Sequence, residues 1–485
     1  MSANPTSGTG PDPRRWKALA LLCTAMFVVN LDAQIVLLAL PSIERDLHFA
    51  AGGEQWVLSA YLLTFGGLLM LGGRMADLLG RRRMFLIGTT MFLIASVLCG
   101  LAWAGGVLIA ARAVQGASAA VMAPTALSIL MTTFDEGRER NKALGIWSGV
   151  AGIGATAALL IGGPITDWLG WEWIFFLNVP IAIVLLVGGP VLLRESRGAT
   201  TRRAFDLAGA GTVTAALVLL VYAVVEAPKV GWLSARTLGL LAASAVVFAV
   251  FGLIESRSAA PLVPLRIFRS RNLVGGNLVM LLLGMVGFGM GLILSLYAQQ
   301  VLGYTALVFG LGTAVMTAMT VLGSAGGQAF VTRIGFRPVL AVAMILLGGG
   351  SLLLSRVSAD GNYLSDILLA LLVFGPGLGA CYVAASIASL TGVAEGEAGL
   401  ASGINSAAFQ IGGALGVAIC STVAVAYTAG VEGKVALNHG FQAAFVACVV
   451  FAAVGLVAAL LFLRKPRADA ATAAGVESPA VAARD

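Results

Sequence analysis

Long apolar runs, separated by short polar segments, follow one another along almost the whole of this 485-residue chain. An α-helix needs roughly 20 mostly apolar residues to cross the hydrocarbon core of a bilayer. Only 11% of the residues are charged, against about 25% in soluble domains, which argues against a water-soluble fold. Fourteen runs are therefore predicted to span a membrane, at residues 16–41, 55–74, 84–104, 106–131, 143–166, 172–193, 206–226, 235–255, 272–300, 306–331, 338–356, 363–391, 400–428 and 441–463.

The basic residues alternate between the two sides of these predicted spans. Of thirty lysines and arginines, twenty-four fall on one side and five on the other, while Arg112 lies inside a span. Because loops rich in Lys and Arg stay in the cytoplasm, this bias predicts an even number of spans with both termini cytoplasmic. One inner loop, residues 392–399, departs from the pattern, since it carries two glutamates and no base.

The spans group into two sets of six with two spans between them. A faint repeat supports this grouping, because the segment after the second span, residues 73–82, is echoed after the tenth span by residues 328–337. Many transporters are built from such paired halves. The sequence thus predicts an all-α polytopic membrane protein of two six-helix bundles plus two inserted helices. The predicted parts are an N-terminal tail (1–15), the first bundle (16–193), the inserted helices with flanking loops (194–271), the second bundle (272–463) and a C-terminal tail (464–485).

Charge, cysteine and histidine placement argue against several other classes of protein. The net charge of +7 comes from short basic clusters between apolar runs, so no basic nucleic-acid-binding face is expected. All five cysteines lie inside apolar runs without metal-ligand spacing, and His48 and His439 fall in predicted outer loops. Because no nucleophile–base pair or phosphate-binding loop is present either, we expect no metal, no cofactor and no enzyme activity.

Two full charges lie deep in predicted spans. Asp32 sits in the middle of the first span and Arg112 in the fourth. A carboxylate at that depth costs about 2.5–3.5 kcal/mol, so such residues usually serve a function, although a structural pair between helices is the alternative. Asp32 is the candidate partner of Arg112. Asn30 and Gln34 lie about 160° around the helix from Asp32, so the three cannot face one narrow cavity.

An ordered set of motifs resembles the major facilitator superfamily, in its fourteen-span drug:proton antiporter branch. The similarity extends from about residue 16 to residue 463. It rests on residues 31–41 in the first span, 73–83 after the second, 112–116 in the fourth and a glycine frame in the fifth, with supporting matches at 55–56, 61, 171–180 and 410–416. One departure concerns the fifth span, where Ala158 and Leu159 replace the Gly-Pro pair of the antiporter motif.

The resemblance implies roles for particular residues. It implies proton coupling by Asp32 and Arg112. Conformational gating is implied for the loop after the second span, with Gly73, Asp77, Gly80, Arg81 and Arg82. The glycines of the antiporter-motif helix are Gly145, Gly154, Gly162 and Gly163. The candidate substrate-cavity residues are Asn30, Gln34, Trp56, Tyr61, Gln115, Glu226 and Gln410.

The expected function is the proton-coupled export of small amphipathic, largely apolar compounds such as antibiotics. Sparse acids in the spans argue for neutral or weakly charged substrates. A lipid or metabolite facilitator or symporter with the same fold is the alternative, and a non-transporting membrane sensor is a third interpretation. The expected partners are the small-molecule substrate, protons and the lipid bilayer, and we expect a monomer in the bacterial cytoplasmic (inner) membrane with no bound nucleic acid.

Overall fold

A computed structural model describes residues 14–50, 53–134, 138–196, 207–258, 265–391, 393, 398–428 and 433–463. Helices account for nearly all of this described part, and no strand occurs in it. Lipid offers no hydrogen-bond partner to the backbone, so a helix, which satisfies its own N–H and C=O groups, is the form such apolar runs adopt.

Fifteen α-helices lie in the described ranges. The first seven are α1 (Arg15–Asp46), α2 (Gln55–Leu79), α3 (Arg81–Gly100), α4 (Gly105–Thr133), α5 (Arg138–Trp168), α6 (Glu172–Phe176) and α7 (Asn178–Leu192). The others are α8 (Leu207–Val230), α9 (Ala235–Arg257), α10 (Arg271–Leu296), α11 (Ala306–Ile334), α12 (Phe336–Leu354), α13 (Leu369–Leu390), α14 (Ala398–Thr428) and α15 (Lys434–Phe462). Short π-helical segments follow α10 and precede α13, at Tyr297–Val301 and Tyr363–Leu368.

Eleven segments of the described chain are long and apolar enough to cross a bilayer. The short helices α6 and α7 together make one of them, Glu172–Leu192. The long helices α2, α5 and α8 are not among these eleven. If they also cross the membrane, the total is the predicted fourteen. The span count of fourteen stays a prediction. Two details differ from the sequence-based expectation. His439 lies within α15 rather than in a loop, and α8 continues through Pro228 to Val230, so Glu226 does not end it.

The helices before α8 pack mainly on one another, and so do the helices after α9. In the first group α4 packs on α2 and α3, and α5 packs on α1. In the second group α14 packs on α10, and α13 packs on α11 and α12. We call these groups the N-terminal half (α1–α7) and the C-terminal half (α10–α15).

Helices α8 and α9 form a hairpin that lies along one seam between the halves. Helix α8 contacts both α2 of the N-terminal half and α14 of the C-terminal half. Gly67 of α2 allows this approach, because a Cβ there would lie 2.7 Å from Oγ1 of Thr214. Ser244 of α9 donates to the carbonyl oxygen of Ala216 at 2.8 Å and so ties α9 to α8. The hairpin therefore covers the α2–α14 seam.

The halves also meet at the ends of α1, α5 and α10 and the start of α11. Oγ of Ser295 donates to the carbonyl oxygen of Leu37 at 2.7 Å. The backbone N–H of Leu307, in the first turn of α11, donates to Oδ2 of Asp167 at 3.1 Å. A carboxylate suits this position because the unpaired N–H groups of a helix start carry partial positive charge. These contacts close the halves against each other at this end.

Candidate functional site

The two charges that the sequence places deep in the membrane lie in direct contact. Nη1 of Arg112, on α4, donates to Oδ2 of Asp32, on α1, at 2.6 Å. Both side chains are completely buried. A pair in such surroundings stabilises the protein only when further hydrogen bonds satisfy the remaining polar atoms, because removing two charges from water costs several kcal/mol per ion.

Asp32 receives these further hydrogen bonds from two amides. Nε2 of Gln115 donates to Oδ1 of Asp32 at 2.9 Å, and Nδ2 of Asn178 donates to the same oxygen at 2.7 Å. Gln115 also accepts from Nη1 of Arg112 at 2.7 Å and donates to Oγ of Ser96 at 2.9 Å. The carboxylate thus has donors from α4 and α7 on both of its oxygens, which is the arrangement that a buried anion requires.

The guanidinium of Arg112 is held by one carbonyl and two aromatic rings. Its Nε donates to the carbonyl oxygen of Val57 at 3.1 Å. Its Cζ lies 4.2 Å from the centroid of Tyr61 and 5.7 Å from that of Phe175. Nη2 is buried and has no hydrogen bond within the described part of the chain. The negative faces of the two rings offset the missing hydrogen bond of Nη2, since cation–π contacts strengthen when water is excluded.

Three members of this network were not among the predicted site residues. They are Asn178, Ser96 and Phe175, all completely buried. Asn178 is the first residue of α7, and its amide reaches the carboxylate of Asp32 on α1. A lone Asn inside the apolar segment 174–193 was a usable signal, because a polar side chain in a membrane span needs a partner. Ser96 and Phe175 give no such signal, because Ser and Phe are common in membrane spans.

The loop between α2 and α3 is held from the segment after α7. Gly80 has φ +110°, a conformation that favours glycine, and it turns the chain between the helices. The carboxylate of Glu195 accepts from the backbone N–H groups of Arg82 and Arg83, both at 3.1 Å, which places an anion at the N-terminus of α3. Arg81 donates its backbone N–H to the carbonyl oxygen of Ser196 at 3.0 Å.

Gly73 and Asp77 belong to the same predicted gating loop. A Cβ at Gly73 would lie 3.5 Å from Cβ of Pro124 on α4, an ordinary contact, so Gly73 faces α4 without requiring a glycine there. The side chain of Asp77 lies outside the described part of the chain. Glu195, which the sequence analysis did not single out, is the acid whose contacts with this loop the structure describes.

The glycines of α5 face two different helices. A Cβ at Gly154 would lie 2.8 Å from the carbonyl oxygen of Phe27, and one at Gly162 would lie 2.7 Å from Cγ1 of Ile35, both on α1. Gly163 instead faces the backbone of α11 in the C-terminal half. Gly145 also lies in α5, but its surroundings are outside the described part. The glycine frame thus brings α5 close to α1 on one side and to α11 on the other.

The seven predicted cavity residues do not share one surface. Tyr61 and Gln115 are completely buried in the network around Asp32. Nδ2 of Asn30 donates to the carbonyl oxygen of Met26 in its own helix at 2.8 Å. Gln34 is partly buried.

The other three cavity candidates contact α8, α9 and α2. The ring of Trp56 packs on Tyr222 of α8, with centroids 6.4 Å apart. Glu226 pairs with the exposed Arg236 of α9 at 3.4 Å, and its own side chain is 18% exposed. Gln410 packs on α2, where a Cβ at Gly66 would lie 3.1 Å from its Cβ. The structure therefore does not bring the seven candidates together.

The described part of the chain also bears on the expectation of no metal site. In that part of the chain, no three or more His, Cys, Asp and Glu side chains group in a way that could hold a metal ion. The Asp32 network has one carboxylate, one guanidinium and neutral amides. In the described part of the chain it therefore holds one buried carboxylate beside one fixed positive charge.

Comparison with known proteins gives close relatives over most of the chain. A sequence profile of the Major Facilitator Superfamily matches residues 22–417 and 277–484. A puromycin resistance protein of Streptomyces alboniger is 39% identical over 428 residues, which are 87% of this chain and 84% of that protein. A cephamycin export protein of Amycolatopsis lactamdurans is 38% identical over 93% of both chains. A tetracenomycin C resistance and export protein of Streptomyces glaucescens is 34% identical over 85% of this chain and 77% of its own length.

Solved structures share the fold at much lower sequence identity. A bacterial homologue of the human lysosomal transporter Spinster, in an inward-facing and unoccupied conformation, gives a TM-score of 0.66. It is 17% identical, and the match covers 94% of this chain and all of that one. A nucleoside transporter gives a TM-score of 0.64 at 13% identity, over 93% of this chain and all of its own. Both similarities concern the fold alone.

Proposed function

Because the chain belongs to the major facilitator superfamily, we propose that it exports small amphipathic compounds of the antibiotic type in exchange for protons. It is a multi-pass bacterial membrane transporter of the drug-export type rather than an enzyme, as its relatives in antibiotic resistance and export indicate. Proton coupling, the substrate class and the roles of individual residues belong to the proposal.

The buried Asp32 network is the observation that carries proton coupling. Its carboxylate is completely buried and receives hydrogen bonds from Arg112, Gln115 and Asn178. Adding a proton to it would neutralise the anion and leave the buried guanidinium without a counter-charge. Such a change alters the relative free energy of any two conformations that differ in how Arg112 is solvated. One protonation event could thereby drive a conformational change.

The packing of α5 supports a link between the proposed coupling residue and the opposite half. Gly154 and Gly162 hold α5 against α1, which carries Asp32, and Gly163 places the same helix against α11. Helix α5 therefore contacts both the helix of the coupling residue and the opposite half. Ala158, which stands where antiporters usually have glycine, is completely buried in a continuous helix, so this departure keeps symport as the second candidate.

The proposal includes the arrangement of the chain in the membrane. Both termini lie in the cytoplasm, as the distribution of basic residues indicates, and the chain works as a monomer. The closed end formed by Ser295, Leu37, Asp167 and Leu307 then faces outward. The loop of Gly73, Asp77, Gly80, Arg81 and Arg82, held by Glu195, lies on the cytoplasmic side and gates the cycle.

Reconstituted vesicles test the proposal directly. Purified protein is inserted into liposomes, a pH gradient is imposed, and uphill movement of puromycin, tetracenomycin C and a cephamycin is followed. We expect Asp32→Asn to bind and exchange substrate downhill but to lose uphill movement, because it fixes the neutral state. Asp32→Glu should keep part of the activity. Glu139→Gln is the matched control, since it removes a half-exposed carboxylate that pairs with Arg15, and should behave as wild type.

Two outcomes would contradict the proposal. Uphill export by Asp32→Asn at the wild-type rate would exclude this residue as the coupling site. Movement of substrate in the same direction as the protons would replace exchange by symport.

A further inference from the structure

Three aromatic side chains of the C-terminal half form a cluster that none of the predicted site residues belongs to. The ring of Phe409, on α14, packs edge-on against Tyr382 of α13, with centroids 5.4 Å apart. It also packs on Phe288 of α10 at 5.6 Å. Phe288 is nearly buried, whereas Tyr382 is 44% exposed. We call these three residues the aromatic cluster.

The open side of Tyr382 faces the interior of the protein. Leu378, one turn earlier on the same face of α13, contacts α10 at Gly287. Gly375, two turns earlier, contacts α11, so this face lies between α10 and α11. Gly377 points the other way, to α12. A ring on the inner face that is still almost half exposed borders an open interior space rather than the lipid.

A polar cluster lies one helical turn from these rings, toward the start of α14. Asn405 is four residues before Phe409, and Ser386 is four residues after Tyr382. Ser386 donates to Oδ1 of Asn405 at 3.2 Å, while Nδ2 of Asn405 donates to Oδ1 of Asn277 at 3.3 Å and to Oγ of Ser389 at 3.0 Å. Asn277, Ser386, Ser389 and Asn405 make up the polar cluster.

One donor of the polar cluster has no acceptor among the residues that the structure describes. Nδ2 of Asn277 is buried and makes no hydrogen bond within the described part of the chain, and only 8% of this residue is exposed. An unpaired buried amide N–H is unfavourable, because it has lost its hydrogen bonds to water without a replacement. Buried polar atoms in native proteins normally have a partner. An acceptor supplied by a ligand would satisfy this group.

The helices that carry both clusters have no ionised side chain over their membrane-spanning lengths. Residues 272–301, 369–390 and 398–428 contain no Asp, Glu, Lys or Arg. A cation or an anion placed here would lose its hydration without gaining a counter-charge. An uncharged ligand is therefore favoured, in contrast to the surroundings of Asp32 in the other half.

From these observations we infer that the C-terminal half holds the substrate through a planar, uncharged aromatic group stacked on Tyr382 and through a carbonyl acceptor bound by Asn277. Asn405, which hydrogen-bonds to Asn277, lies one turn, about 5.4 Å, along α14 from Phe409, so the ligand class is a fused aromatic ring system that bears a carbonyl. This inference rests on the proposed export function and names the substrate class and contact residues of that transporter. Proton coupling stays in the N-terminal half.

Binding of two probes to purified wild type and variants tests the inference. Acridone is planar, neutral and carries a carbonyl, and anthracene has the same ring frame without it. Affinities are measured by fluorescence titration at fixed lipid content, so that partition into lipid is the same in every sample. Tyr382→Ala should weaken both probes about tenfold, because stacked rings and their buried area are lost. Tyr382→Phe should bind both as wild type does.

Asn277→Ala should weaken acridone about fivefold and leave anthracene unchanged, because only acridone can accept from the amide. Retained anthracene binding also shows that this variant is folded, and Asn405 keeps Ser389 as its acceptor. Tyr427→Ala removes a ring that is 69% exposed at the far end of α14 and serves as the matched control, with no change expected.

The inference would be overturned if Tyr382→Ala bound both probes as tightly as wild type does. It would also be overturned if the affinities of Asn277→Ala for acridone and for anthracene changed by the same factor. The proposed function is judged separately, by uphill export against a pH gradient in wild type and Asp32→Asn. Failure of the probe experiment together with intact proton-driven export would exclude ligand binding by the aromatic and polar clusters and leave the exporter function in place.

Discussion

A methyl group added at Gly163 tests whether the α5–α11 contact closes the two halves against each other. A Cβ at this position would lie 2.5 Å from Cα of Leu307 and 2.6 Å from the carbonyl oxygen of Ala306. Both are backbone atoms, so no side-chain rotation relieves the overlap. Gly163→Ala should therefore disfavour the closed arrangement relative to one in which α5 and α11 separate.

The size of this effect follows from the cost of overpacking. Inserting a methyl group into a well-packed interface costs about 1–3 kcal/mol, and each 1.4 kcal/mol is a factor of ten. The equilibrium should thus shift about fivefold to a hundredfold toward the separated arrangement. Gly326→Ala is the matched control, because it makes the same change in α11 where a Cβ meets nothing within 4 Å. Both variants replace glycine by alanine inside a helix, so both gain the same helix propensity and this gain cancels in the comparison.

Accessibility of a neighbouring thiol reports the shift. Thr166, one turn from Gly163 on α5, is 8% exposed. It is changed to cysteine in a background without the five native cysteines, and its rate of modification by a hydrophilic maleimide is measured. We expect about tenfold faster modification with Gly163→Ala and no change with Gly326→Ala. An unchanged or slower rate in monodisperse Gly163→Ala protein would refute the argument.

Three further outcomes follow from the same structure. Asn178→Leu removes a 2.7 Å hydrogen bond to the Asp32 carboxylate, worth about 1.5–3 kcal/mol, and should slow proton-driven export at least tenfold at unchanged expression; wild-type transport would contradict the role of Asn178. Asp77→Asn should slow transport but leave substrate affinity in detergent unchanged, and a large loss of affinity at an unchanged rate would contradict gating. Reporters fused after Arg467 should be active only when they work in the cytoplasm, and activity of a periplasm-only reporter there would mean an odd span count.

The helical fold was predictable because the bilayer sets the length of each apolar run. The residues at which the helices end were less predictable. The first run was expected to end at Pro41, but α1 continues through this proline to Asp46. The hydropathy of a run reports where lipid ends and not where the helix ends. Polar residues such as Glu44 and Arg45 can continue a helix into the water beyond it.

The site was predictable in its charges and not in its neutral partners. Asp32 and Arg112 stand out because ionised residues are rare in membrane spans. Asn178 gives a weaker signal and Ser96 gives none, since a neutral polar residue costs less than a charge in a span and its partner depends on how the helices pack. Glu195 was not predicted, for a different reason. An acid in a loop is ordinary, and only the fold shows that it accepts from the first N–H groups of α3.

The separation of charge between the halves bears on how coupling works. In this conformation Asp32 is completely buried, and three donors occupy its oxygens. Under the proposal, the substrate binds on the C-terminal half, on helices without ionised side chains. Substrate and proton therefore do not compete for one group by direct contact. Under the same proposal each favours a different arrangement of the halves, and we expect that difference to act at the contacts of Gly163 and Leu37.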